Sequence, residues 1–177
     1  RNASAVSCAT STISRWLRLR TASASAIWPV TGTTRSPGPA SIITERGTPA
    51  HRREAIDALG AVAHLDAGPP LVARLGDAGL GDAAHRALVR LCCADFGREA
   101  WQWQAWLQKN RSRHRVELLI DGLGSNNRLI RQRAIGELTG TTGETLGYLS
   151  DLPTGARRAA QDRWRRWWES TGQARFR

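Results

Sequence analysis

A short pattern, Arg-x-x-Ala-Ile-x-x-Leu, occupies residues 52–59 and returns at residues 131–138. Residues 84–91 keep the alanine, the aliphatic residue after it and the final leucine, but have Ala84 in place of the first arginine. On a helix these apolar positions share one face, and basic residues occupy the other. The copies are 32 and 47 residues apart. One unit of this size cannot bury its apolar face alone, so the pattern predicts a stack of similar helical units.

The second and third copies belong to a longer alignment. Residues 71–91 and 118–138 align without a gap, and each segment runs from an apolar stretch through a polar break into the pattern. Asp82 and Asn127 follow the two breaks, and in such a position a side-chain oxygen accepts hydrogen bonds from the first amides of a helix. The alignment therefore predicts two helix–turn–helix units, with Asp82 and Asn127 as the N-caps of their second helices.

Tryptophans follow each of these units at the same spacing. Trp103 and Trp106 stand three residues apart with an apolar residue directly after them, and Trp164 and Trp167 do the same with Trp168 after them. Side chains at i, i+3 and i+4 share a helix face, and a buried indole removes about 150–250 Å² from water. A Trp-rich helix is therefore predicted to close each unit. The predicted core consists of Ile56, Leu59, Leu88, Leu91, Trp103, Trp106, Ile135, Leu138, Trp164 and Trp167.

The pattern helices, the Leu-Gly ends and the period of 32 to 47 residues resemble HEAT repeats, the antiparallel helix pairs of α-solenoids, over residues 51–139. The Trp-rich closing helices resemble those of bacterial HEAT-repeat proteins of unassigned role. The resemblance implies an all-α fold, a short right-handed α-solenoid of HEAT-like helix pairs, over residues 51–172, with a tail at 173–177. Two features depart from the family: Ala84 replaces the usual arginine, and the loop at 139–153 is longer than such repeats need.

Residues 1–50 have a different composition from the rest of the chain. Serine, threonine and alanine each supply eight residues there, proline supplies four, and no apolar period lasts beyond one turn. This composition predicts a low-complexity leader that is disordered or irregular. An organellar transit peptide, which is also rich in arginine and serine and poor in acidic residues, is one alternative. A stretch that is not native coding sequence is another.

The charge is strongly basic, at +11, with an excess at both ends of the chain and nearly all of it from arginine. Such a charge favours an acidic protein partner and allows weaker contact with nucleic acid. Trp101 lies off the face of the other tryptophans and is predicted to be exposed, where it could stack on a base. The candidate binding surface comprises Trp101, Lys109, Arg111, Arg113, Arg157, Arg158 and Arg165.

No motif for catalysis, a cofactor or a metal accompanies these features. The four histidines are scattered, the three cysteines have no Cys-x-x-Cys spacing, and there is no nucleophile elbow or phosphate-binding loop. Apolar stretches are a few residues long, short of the roughly 20 that span a membrane. The cysteine usage fits a reducing compartment, so a cytoplasmic location is expected.

We therefore expect a non-catalytic HEAT-repeat scaffold that mediates protein–protein interaction and has no cofactor. The resemblance leaves two alternatives. The first is nucleic-acid binding, as in HEAT-like alkylpurine DNA glycosylases, whose cleft needs an aromatic and an acidic residue; Trp101 with Glu99 is the candidate pair. The second is a role like that of HEAT-like lyases that handle bilin chromophores.

Overall fold

Helices make up the regular structure of the protein. The computed structural model describes residues 48–176, and there is no β-strand within that range, so the all-α prediction is confirmed. Residues 1–47 of the predicted leader lie outside the described residues. A 3-10 turn at Leu65–Ala67 precedes the short helix Gly68–Val72, and a π-helical turn at Trp168–Gly172 joins the helices Thr154–Trp167 and Gln173–Phe176. The α-helices are α1 (Pro49–Ala61), α2 (Gly68–Val72), α3 (Gly81–Cys92), α4 (Ala100–Asn110), α5 (Arg115–Gly122), α6 (Arg128–Thr142), α7 (Thr154–Trp167) and α8 (Gln173–Phe176).

Side-chain caps set the beginnings of two of the pattern helices. The hydroxyl of Thr48 accepts a hydrogen bond from the amide of His51 at the start of α1. The side chain of Asn127 accepts one from the amide of Leu129 at the start of α6, so the predicted cap at this position is confirmed. Such caps satisfy amides that have no partner within the helix.

The cap predicted at Asp82 is wrong, because α3 begins at Gly81 with Leu80 as its N-cap, two residues earlier than the pattern suggested. The amides of Leu80 and Gly81 both donate to the carbonyl of Asp77, and this turn leads the chain into the helix at Gly81. Asp82 is consequently the second residue of α3, and its carboxylate pairs with Arg98 instead.

Most contacts between helices join elements that are one or two helices apart in the sequence. Helix α1 packs on α3, α3 also packs on α2 and touches α6, and α5 packs on α6 and α7. Two close contacts between helical segments leave no room for a side chain and require glycine. A Cβ at Gly60 would lie 2.8 Å from the Cα of Ala87, and a Cβ at Gly122 would lie 2.9 Å from the Cβ of Cys93. The absence of a side chain at Gly60 therefore brings α1 against α3.

Two apolar clusters form the core. The first is built from α1–α4 and the second from α5–α7 with Tyr148, while the half-buried Val89 packs against both. Three of the predicted core residues, Trp106, Ile135 and Trp167, are partly buried at the edges of these clusters. The remaining seven are buried: Ile56, Leu59, Leu88, Leu91, Trp103, Leu138 and Trp164.

Trp168 takes a deeper position than its neighbour Trp167. It is 4% exposed, its ring stacks on His114 with the centroids 4.9 Å apart, and its indole nitrogen donates to Glu117 at 3.2 Å. Helix α7 is thus joined to α5 through Trp168. In the described part of the chain, no helix has both the length and the apolar character needed to cross a membrane.

Candidate functional site

Two of the arginines chosen from the sequence are occupied by ion pairs within the protein. The guanidinium of Arg113 donates to Glu117 at 3.1 Å, to Asp121 at 2.7 Å and to Asn110 at 3.0 Å. Arg165 approaches the other oxygen of Asp121 at 3.9 Å. These contacts join the end of α4 to α5 and α7. Arg113 and Arg165 therefore stabilise the packing of helices, and neither offers an uncommitted charge to a ligand.

The other predicted binding residues are dispersed over the surface. Trp101 is exposed, with 66% of its surface accessible. Lys109, Arg111 and Arg158 are also exposed, and none has a hydrogen-bond or ion-pair partner within residues 48–176. Arg157 donates to the carbonyl of Leu152, in the loop before α7, at 2.6 Å. These side chains belong to α4, to the turn after it and to α7, and none of them lines the groove described next.

A groove of about 620 Å³ lies where the end of α1, the end of α3 and the middle of α6 meet. We call it the basic groove, because three of the four charged residues that line it are arginines. The other residues of its lining are small or aliphatic. The lining residues are Gly60, Ala61, Ala63, Val89, Arg90, Cys93, Arg115, Ile130, Arg133, Gly136 and Glu137.

Among the residues that line the groove, Arg115 has a structural role. Its Nε and Nη2 atoms donate to the two carboxylate oxygens of Glu137, each at 2.7 Å. Its Nη1 donates to the carbonyl of Leu91, and its Nη2 also reaches the carbonyl of Arg90 at 3.3 Å. These carbonyls lie in the last turn of α3, where a helix leaves acceptors without internal partners. Burial lowers the pKa of Arg115, but the hydrogen bonds that Arg115 donates to Glu137 and the negative charge of nearby groups together hold that pKa above its usual value.

Arg90 and Arg133 remain as the uncommitted charges of the basic groove. Both are exposed, and neither guanidinium has a hydrogen-bond or ion-pair partner in the described part of the chain. Arg90 projects from α3 and Arg133 from α6. Because Arg115 and Glu137 neutralise each other, the net positive charge of the groove comes from Arg90 and Arg133. Its electrostatics favour an anionic ligand.

Cys93 lies at the floor of the basic groove and ends α3 in the left-handed conformation, with φ at 54°. Burial raises the pKa of its thiol, although Arg115 and Arg133 act in the opposite direction. The thiol is therefore protonated at neutral pH, whereas the reactive species of a cysteine is the thiolate. Cys93 contributes packing to the groove and no nucleophile.

A second cleft, of about 560 Å³, separates the two halves of the molecule. Phe96 and Trp106 line one side of it, and Leu118, Asp121 and Arg165 line the other. Asp121 and Arg165 approach each other at 3.9 Å, and the third charged residue of the lining, Asp95, hydrogen-bonds with His85 at 2.8 Å, so the cleft presents less free charge than the basic groove. Residues 48–176 contain no group of three histidine, cysteine, aspartate or glutamate side chains placed to hold a metal ion.

Sequence reasoning did not select Arg90 and Arg133. The signal was present, because both lie in copies of the repeated pattern, on the face opposite its apolar residues. The polar faces of the pattern helices form one common surface only after the helices have packed side by side.

Comparisons with known proteins find no relative of this chain: no protein-family model matches it, no curated protein is similar in sequence, and no solved structure is similar in fold.

Proposed function

We propose that the protein is a non-catalytic scaffold of HEAT-like repeats that binds another protein. The single observation that carries this proposal is the basic groove, which spans all three helices of the repeated pattern, α1, α3 and α6. Stacked helix pairs characteristically present extended surfaces of this kind to their partners. The lining of the groove supports binding, since it combines uncommitted positive charge with small apolar residues.

The repeat part of the proposal is supported by side-chain caps at equivalent positions. The first arginines of the two patterns make different contacts, because the guanidinium of Arg131 donates to the carbonyls of Ser125 and Asn126 at 2.9 and 2.8 Å, whereas Nε of Arg52 has no hydrogen-bond partner within residues 48–176. Thr48 and Asn127, the two side-chain caps, each stand four residues before the first arginine of a pattern. We infer a short right-handed α-solenoid in which α2–α3 and α5–α6 are helix pairs and α4 and α7 close them.

A protein partner fits the groove better than a nucleic acid. Binding to duplex DNA depends mainly on the neutralisation of several phosphates by basic side chains. The basic groove supplies two uncommitted arginines. We include a cytoplasmic location in the proposal, because Cys92 and Cys93 are buried free thiols of a kind that suits a reducing compartment.

A random-peptide phage library tests the proposed function. The full chain is immobilised at physiological salt, and enriched peptides are sequenced and measured individually by fluorescence anisotropy. We expect saturable binding of a related set of sequences rich in acidic residues. The proposal is wrong if no peptide is enriched and the same immobilised chain retains DNA.

Nucleic-acid binding is the second candidate, favoured by the net charge of +11 and by the exposed Trp101. Diffuse charge gives duplex binding that falls by roughly 10³–10⁵ between about 50 and 200 mM salt for 6–10 phosphate contacts. We expect this loss, and we expect Arg111→Gln and Arg158→Gln to weaken low-salt binding equally. Sub-micromolar binding that survives physiological salt and depends on one of these arginines alone would favour the second candidate.

A further inference from the structure

We propose that the basic groove is the docking site for the partner and that its occupant is an extended acidic segment, in which side-chain carboxylates pair with Arg90 and Arg133. This inference rests on the proposed function and identifies the site and the chemistry of the ligand. The exposed cations on α4, on the turn after it and on α7 do not contact this ligand.

The charges of the groove define the kind of ligand. Arg115 and Glu137 satisfy each other through two hydrogen bonds of 2.7 Å, so a ligand gains little from either. Arg90 and Arg133 have no partner within residues 48–176. A guanidinium presents donors in a planar fork that matches a carboxylate, and such charge-assisted bonds are stronger than neutral ones. Two carboxylates on one segment therefore complement the two arginines.

The floor of the groove favours an extended backbone. Ala61, Ala63 and Gly136 are small and exposed, and space is open above Gly136, where an added Cβ would meet no atom within 4 Å. The chain of a ligand can thus approach α1 and α6 closely. Other positions of the lining are aliphatic, so the segment that fits best alternates acidic and apolar side chains.

The placement of the two arginines requires the ligand to bridge the molecule. Arg90 belongs to α3, which contributes to the first apolar cluster, and Arg133 belongs to α6, which contributes to the second. A segment that pairs with both must cross the junction between the clusters. A small free anion would occupy only a fraction of a groove of about 620 Å³, whereas a peptide segment can fill it.

The first experiment measures binding of a fluorescein-labelled peptide that alternates glutamate and leucine, at physiological salt. In the groove variant, Arg90→Gln is combined with Arg133→Gln. In the matched control, Arg111→Gln is combined with Arg158→Gln, which removes the same charge from exposed residues outside the groove. We expect the groove variant to bind about ten- to a hundredfold more weakly and the control to bind like the parent. Equal losses in the two variants would overturn the proposal.

The second experiment blocks the groove without changing its charge. Gly136→Leu places a side chain in the groove, whereas Gly140→Leu places the same side chain one turn further along α6, outside the lining. Both sites are exposed, and neither Cβ meets an atom within 4 Å, so both variants are expected to fold. We expect Gly136→Leu to abolish peptide binding and Gly140→Leu to leave it unchanged.

The outcomes separate this inference from the proposed function. If Gly136→Leu binds the alternating peptide as well as the parent does, the site is wrong, although the chain can still bind proteins elsewhere. If the peptide with glutamine in place of glutamate binds equally well, the acidic character of the ligand is wrong. If duplex DNA competes for the groove at physiological salt, the inference and the proposed function are both wrong.

Discussion

Arg115 holds Glu137 through two parallel hydrogen bonds of 2.7 Å, one to each carboxylate oxygen, while the rest of its guanidinium donates to the carbonyls that end α3. The side chain of Arg115 is 18% exposed and that of Glu137 is 37% exposed. One residue at the start of α5 thus joins α3 to α6. This contact sets the shape of the basic groove and gives the first prediction.

Replacing Arg115 removes all of these hydrogen bonds at once. Arg115→Met should lower the free energy of unfolding by about 1–3 kcal/mol, because Glu137 and the end of α3 lose their partners. Glu137→Gln should cost less, about 1 kcal/mol or below, since glutamine keeps one acceptor and water reaches the site. Urea denaturation measures both values. Arg111→Met is the control and should stay within about 0.5 kcal/mol of the parent; an equal effect in all three variants would show that the contact contributes nothing.

The two most buried tryptophans differ in one hydrogen bond. The indole nitrogen of Trp103 donates to the carbonyl of Gly97 at 2.9 Å, whereas that of Trp164 is buried without a partner within residues 48–176. Trp103→Phe loses ring volume and a hydrogen bond, while Trp164→Phe loses similar volume and removes a buried, unpaired donor. Trp103→Phe should therefore be the more destabilising by about 1–3 kcal/mol in chemical denaturation. The reverse order would contradict this account of the two sites.

Glycines in two helices should respond oppositely to an added methyl group. A Cβ at Gly60 would lie 2.8 Å from the Cα and from the Cβ of Ala87, so Gly60→Ala must push α1 away from α3 and should cost about 1–3 kcal/mol. A Cβ at Gly140 meets nothing within 4 Å, so Gly140→Ala should stabilise α6 by about 0.5–1 kcal/mol. The thermal midpoints of the two variants measure the contrast. A rise in the midpoint of Gly60→Ala would mean that α1 is loosely packed.

Stability should fall at alkaline pH in two steps. Burial raises the pKa of Cys92, Cys93 and Tyr148 in the folded protein. The unfolded chain releases its thiol protons near pH 8.5 and its tyrosine proton near about pH 10, while the folded chain still holds them. The unfolded state then binds fewer protons, so the free energy of unfolding decreases as the pH rises through these values.

The double variant Cys92→Ala with Cys93→Ala separates the two steps. Urea denaturation is measured in a reducing buffer at several pH values between about 7 and 10.5, a range that spans the ordinary thiol and tyrosine pKa values. The variant should lose the decline that begins near pH 8.5 and keep the one near about pH 10. The comparison uses the slope against pH, because the substitutions themselves change the core. The same slope in the variant and the parent would exclude the thiols as its cause.

Helices could be predicted from the sequence because their signals are local. The pattern at residues 131–138 lies within α6, and Asn127 caps that helix with its own side chain. The period of apolar residues and one polar residue before it are enough to identify such a helix. The order of helices in the described chain follows from these signals without any contact between distant residues.

Which arginines lack a partner in the described part of the chain could not be predicted in this way. Arg113 follows the tryptophans of α4 in sequence, which suggested a binding surface, but its partners Glu117 and Asp121 come from α5, and Asp121 is shared with Arg165 of α7. Glu117 lies only four residues from Arg113 and is a local signal, whereas Asp121 meets Arg165 only because α7 packs on α5. The same holds for Trp168, whose deep position depends on contacts with α5.

Val89 packs against both apolar clusters, whereas Leu71 belongs to the first alone and Leu138 to the second alone. A change of side-chain volume at Leu71 or Leu138 can be compensated by a second substitution in the same cluster. A change at position 89 needs compensation in two clusters at once. Substitutions at residues such as Leu71 and Leu138 can therefore accumulate separately in the two clusters, whereas at Val89 the history of one cluster constrains the history of the other.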